Sequence, residues 1–224
     1  MAQVKCTACN GTGWIEVPDP PSGGYTISGT VGPGTLTVHA SDRFAGAIDS
    51  VIWQGKEFID SLDHGRELQS ASSFDDLGEA WNPTEAGSSA DSTGQTSSSK
   101  LLSASAAGKV LKTETQMAFW NPVDGSKISN HILTKTVTIG HEASDHVIQY
   151  LVNFKVTENH GKGKFEALTG YMPPEFKVFY AFDPISRKLT QIGHGGASTP
   201  VILATEDGQH AMGCYCPECH EYGT

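Results

Sequence analysis

A period of two, not 3.6, runs through the apolar residues of this chain, and Gly, Pro, Asn or Asp interrupts it repeatedly. In residues 146–156 the side chains of Ile148, Tyr150, Val152, Phe154 and Val156 fall on one face. Gln149, Asn153 and Lys155 share the other face with Val147 and Leu151. Such alternation predicts a strand with at least one buried face. The same pattern predicts strands near residues 25–28, 36–39, 48–53, 110–119, 132–139, 176–182, 200–205 and 211–215, and no segment sustains a long helix. Within residues 48–58, Gln54-Gly55 separates two apolar runs and predicts a hairpin. Many short strands joined by turn residues predict an all-β fold, an antiparallel β-sandwich.

The remaining bounds agree. A chain of 224 residues can bury a core for one globular domain, or one with a small appendage, and 25 Gly with 11 Pro are too many for a helical bundle. No apolar run approaches the roughly 20 residues that span a bilayer. With 25 acidic against 15 basic residues the net charge is −10, and no basic patch offsets it, so nucleic acid is not an expected partner. The first residues lack the basic and then apolar stretches of a secretory signal. They predict a product that is cytoplasmic as synthesised, with a virion or other surface assembly as the alternative location.

Two stretches depart from the regular spacing. Residues 60–87 are dense in polar and ionisable groups, and residues 87–108 are rich in Ser, Ala, Thr and Gly. The second is expected to be a long surface loop, of the kind on which binding sites sit.

All five cysteines lie near the ends: Cys6 and Cys9 in one C-x-x-C, then Cys214, and Cys216 and Cys219 in a second C-x-x-C. A C-x-x-C turn aims two sulfurs at one ion, and two such units complete a tetrahedral zinc site. The first unit continues through Asn10, Gly11, Thr12 and Gly13, and so resembles the C-x-x-C-x-G-x-G knuckles in the zinc-binding region of J-domain chaperones. The expectation is a structural zinc held by Cys6, Cys9, Cys216 and Cys219. Free thiols and disulfides are rival readings, as is covalent haem c on Cys216-Pro217-Glu218-Cys219-His220. Cys214 reads as a small core residue. The domain organisation is then a knuckle and linker over residues 1–24, a sandwich over 25–213 and a second knuckle over 214–224.

Asp63-His64-Gly65-Arg66-Glu67-Leu68-Gln69-Ser70, followed by Asn82-Pro83-Thr84-Glu85-Ala86-Gly87, resembles a group of bacterial β-sandwich proteins related to the galactose mutarotase-like superfamily. Residues 116–120, 165–176 and 200–215 fit the same pattern. The resemblance implies a large twisted antiparallel sandwich, supersandwich-like, with a concave surface that faces carbohydrate. It implies no particular reaction.

A sugar site needs carboxylates and amides for hydroxyls and an aromatic face for the ring. The candidates are Asp63, His64, Arg66, Gln69, Glu79, Trp81, Asn82 and Glu85, with Tyr171 and Glu175 from a Pro-stiffened loop and His194 further on. Structural alternatives stand beside them. Arg66 and Glu79 also read as an ion pair, Trp81 as core, Asn82-Pro83 as a turn and His64 as a loop histidine. His39, His131, His141, His146, His160 and His210 are scattered and define no site. Two functions follow as expectations: a carbohydrate-binding or carbohydrate-related protein with a zinc clasp, or a non-enzymatic structural or decoration subunit of a virion or other surface assembly. The expected partners are a carbohydrate and other protein copies.

Overall fold

The computed structural model describes residues 23–91, 95–122, 124–217 and 222, together with the backbone alone of 2–5, 14–17 and 223. The chain divides into two compact units, Met1–Tyr171 and Met172–Thr224.

In the first unit, β1 (Ala2–Lys5) and β2 (Trp14–Val17) form a two-stranded ribbon. A four-stranded meander follows, built from β3 (Tyr25–Val31), β4 (Gly34–Ala40), β5 (Ile48–Trp53) and β6 (Lys56–Glu57). Between β5 and β6, Gln54 and Gly55 both take positive φ, 51° and 77°. That is the requirement of a tight two-residue hairpin turn, and it explains the Gln-Gly pair.

The larger sheet has seven strands: β7 (Gln69–Phe74), β8 (Pro83–Thr84), β9 (Lys100–Ala107), β10 (Val110–Phe119), β11 (Ile128–His141), β12 (Ser144–Lys155) and β13 (Gly163–Thr169). Its order is β12-β11-β10-β8-β7-β13, with β9 on the first part of β10. All of these pairings are antiparallel. Strand β3 of the meander lies against β9, β10, β11 and β12, so the two sheets pack as a sandwich.

Period-two burial builds the core. Ile27, Val31, Leu36, Val38 and Val51 come from the meander, and Leu111, Met117, Leu133, Val137 and Ile139 from the facing sheet. Burying each such side chain contributes about 1.5–3 kcal/mol. Every second residue of β11 from Ser129 to Ile139 points inward, and that face also buries His131 and Lys135.

Residues 100–107, expected to be loop, are strand β9. A β ladder needs backbone groups rather than large side chains, and β10 supplies them to this mostly exposed edge segment. Residues 60–87 likewise contribute β7 and the two-residue β8, which sits between β7 and β10.

The second unit contains β14 (Val178–Asp183), β15 (Lys188–Ile192), β16 (Gly196–Ala197), β17 (Val201–Ala204), β18 (Ala211–Cys214) and β19 (Tyr222–Gly223). Its main sheet has the order β15-β14-β17-β18, and β16 pairs with β19. The fold is all-β, as the alternation predicts. The only helical turn among the described residues is a 3-10 turn, Asp42–Phe44, and no helix is long and apolar enough to cross a membrane.

Candidate functional site

The polar segment ahead of β7 is organised by Asp63. Its Oδ1 accepts from the Gly65 amide at 3.1 Å and its Oδ2 from Arg66 Nε at 3.0 Å, while Arg66 Nη1 donates to Asp60 Oδ2 at 2.9 Å. Two backbone bonds at 2.8 Å, Tyr171 N to Arg66 O and Asp60 N to Tyr171 O, fasten Tyr171 to this turn. The guanidinium then lies 5.6 Å from the centre of the Tyr171 ring. Arg66 therefore pairs with Asp60 and Asp63, and Glu79 is exposed elsewhere.

Beside that turn opens a cleft of about 570 Å³ lined by Asp63, His64, Ser88, Ser89, Asp91 and Trp120. Glycines permit the close approaches around it. A Cβ on Gly65 would sit 2.8 Å from the Trp120 indole, and one on Gly87, whose φ is +134°, would sit 2.6 Å from Asp91 Oδ2. Any side chain at either position would push into the cleft wall.

The Trp120 carbonyl accepts from Ser89 N at 3.0 Å, Ser88 Oγ at 3.0 Å and Ser89 Oγ at 2.9 Å, which seats both serines beside the indole. Asp91 accepts from the amides of Ser88 and Ser98, both at 2.8 Å, and from Ser98 Oγ at 2.5 Å. Burial works against the Asp91 carboxylate, but these hydrogen bonds outweigh it and hold its pKa below the usual value. The site thus carries a fixed anion. His64 is buried and packs edge-on to Phe44 at 5.0 Å. Burial lowers its pKa, with the Asp91 charge opposing, so the ring is neutral near pH 7.

The structure thus brings Asp63, His64, Arg66 and Tyr171 together. Gln69 and Glu85 lie inside the sandwich instead. Gln69 Oε1 accepts from the Ala86 amide at 2.8 Å, and Glu85 is fully buried in an ion pair with Lys135. Trp81 packs edge-on to Phe119 at 4.6 Å, and the Asn82 carbonyl accepts from Trp120 N at 2.9 Å. Glu175 and His194 belong to the second unit, both exposed. Cys6, Cys9 and Cys219 lie outside the described residues, Cys216 is disulfide-bonded and Cys214 is a free, partly buried thiol.

Sequence reasoning did not nominate Ser88, Ser89, Asp91 or Trp120. A legible signal was the polar run directly after Gly87; nothing local tied it to Trp120.

A second polar cluster has the composition of a catalytic triad but not its connectivity. His39 Nδ1 meets Asp49 Oδ1 at 2.5 Å, yet Ser41 Oγ donates to Asp49 Oδ2 at 2.6 Å rather than to the imidazole. His39 Nε2 instead faces the Gly23 carbonyl at 2.5 Å. Burial lowers the His39 pKa, but two acceptors on one ring outweigh it, and the net shift is upward. The group is a structural imidazolium with no nucleophile to activate.

Set against known family models, curated proteins and solved structures, the chain matches none of them.

Proposed function

We propose that the protein binds a carbohydrate in the cleft beside Trp120. One observation carries this reading: an indole, two carboxylates and the Ser89 hydroxyl converge on a cavity of about 570 Å³. That size suits a small ligand, and the lining matches a sugar's chemistry. The indole offers a flat apolar surface for ring C–H groups, Asp63 and Asp91 accept from hydroxyls, and Ser89 can accept as well. Arg66, held by Asp60 and Asp63 against Tyr171, stands at the side of Asp63 and fixes its carboxylate at the cleft.

A glycan array probed with the full chain tests the proposal. The wild type is expected to retain a defined glycan set. Asp63→Asn and Trp120→Ala are each expected to lose about tenfold or more in affinity, as removal of one strong charged or stacking contact does. A wild type that retains no glycan overturns the reading.

The cysteine termini form the second part of this proposal. In the reduced chain Cys6, Cys9, Cys216 and Cys219 are expected to hold one zinc ion, so native mass spectrometry should find one zinc fewer in the combined Cys9→Ser, Cys219→Ser variant. An identical zinc count in parent and variant, with disulfides intact, overturns the clasp and favours the oxidising-compartment alternative.

A further inference from the structure

Strands β12 and β13 are the two ends of the larger sheet's order, so residues 156–162 carry the chain from one edge to the other. On the way this loop passes β11 and the end of β7. It thereby sets Glu158 and His160 against His131 of β11 and against Asp75, which follows β7.

One donor atom from each of His131, Glu158 and His160 lies within 4.8 Å of the other two. His131 Nε2 is 3.8 Å from Glu158 Oε2, and Asn130 Nδ2 holds the other carboxylate oxygen at 3.2 Å. His160 Nδ1 meets Asp75 Oδ2 at 2.9 Å. Asp75 is itself fixed, because its Oδ1 accepts from the amides of Gly161 at 2.7 Å and Lys162 at 3.1 Å. The Phe74 ring stacks on both imidazoles, with centroids 5.0 Å from His131 and 4.1 Å from His160. His160 Nε2 is buried with no hydrogen-bond partner among the described residues.

We propose that His131, Glu158 and His160 form a binding site for a divalent first-row transition-metal ion of the zinc class. Two imidazoles and a carboxylate are a three-ligand set for such ions, whereas calcium and magnesium require oxygen donors throughout. The Asp75 contact is the carboxylate–histidine arrangement that fixes a ligand's tautomer: with the proton on Nδ1, the Nε2 lone pair of His160 is free to coordinate. Tetrahedral ligands at about 2.1 Å from the metal lie about 3.4 Å apart. The 3.8 Å between His131 and Glu158 closes to that value by movement of Glu158, whose side chain is 48% exposed. A cleft of about 160 Å³ flanked by Leu77, Trp81 and Phe119 adjoins the three ligands. It leaves room for water or a small ligand at a fourth position.

Cobalt(II) titration of the full chain tests this site. With its cysteines already holding zinc or oxidised, the wild type is expected to bind one further Co²⁺ with visible d–d bands that lack the intense near-ultraviolet thiolate band of a cysteine site. Bound metal is also expected to raise the thermal midpoint. Glu158→Gln and His160→Gln should lose this ion and its stabilising effect while keeping the parent's circular dichroism and metal-free midpoint. Asp75→Asn should weaken binding about 10–100-fold. The Cys9→Ser, Cys219→Ser variant should retain the ion. Absence of these bands from the wild type, or unchanged binding by both Glu158→Gln and His160→Gln, overturns the proposal.

Discussion

Replacing Lys135 by methionine is expected to destabilise the first unit by about 3–5 kcal/mol, the usual cost of removing one partner of a buried ion pair. Both Lys135 and Glu85 have fully buried side chains. The ammonium reaches Glu85 Oε1 and, at 2.8 Å, the carbonyl of Gly46. The same carboxylate accepts from the Ser70 amide at 3.2 Å and from the Tyr150 hydroxyl at 3.4 Å. Gly46 enables the contact: a Cβ there would sit 2.8 Å from Leu101 and 3.0 Å from Thr113, so a larger residue would hold the backbone away from the ammonium.

Burial pushes the Lys135 pKa down and Glu85 opposes that, so the ammonium depends on its partner to stay charged. Methionine leaves the Glu85 anion buried without a cation, and a loss of 3–5 kcal/mol lowers the thermal midpoint by on the order of 10 °C. Adding Glu85→Leu should recover most of the loss, because it removes the stranded charge. A Lys135→Met midpoint within about 2 °C of the parent's would mean that the pair is not a buried charge pair.

The second large effect is a loss of stability with rising pH that Glu67→Gln should abolish. Glu67 is fully buried, and neither carboxylate oxygen has a hydrogen-bond partner on another described residue. Burial pushes its pKa from 4.5 up to about 8 against its own backbone amide; the charges of Asp63 and Asp49 add to the rise and Arg43 opposes it. The folded chain therefore holds this proton through a range in which the unfolded chain has released it. The contribution is fully present below about pH 4.5 and is lost progressively up to about pH 8. The slope is about 1.4 kcal/mol per pH unit, on the order of 4 kcal/mol in all. Glutamine cannot ionise. The variant should match the parent near pH 5 and exceed it in stability above pH 8. His39, with its raised pKa, adds a smaller loss of the same sign that both proteins share, since its contribution is complete below pH 6.5. Denaturant unfolding across this range decides the matter, and parallel pH profiles for parent and variant would contradict the assignment.

Which strands were legible followed from side-chain size. Residues 48–53 and 110–119 are β5 and β10 with the expected bounds, because large β-branched or apolar residues recur along both segments. Gln69–Phe74 and Lys100–Ala107 have small Ser and Ala at most positions, so their strand character comes from the ladders of neighbouring strands rather than from their own pattern. Lys135 shows the same limit from the other side. Its position in phase with Leu133 and Val137 was visible, but a lysine in phase with a core face identifies no partner, and Glu85 is fifty residues away.

The candidate sites divide along the same line. Local chemistry by itself determined the antiparallel all-β class and the Gln54-Gly55 hairpin, since each depends on residues only a few positions apart. Tertiary structure alone decided which polar groups meet. Trp120 reaches Asp63 because Gly65 lets the chain pass against the indole, and His131 reaches His160 because a short loop links opposite ends of the larger sheet. Contacts of that kind depend on strand order. Period-two patterning specifies which face of a strand is buried, but it carries no information about which strand lies next to it.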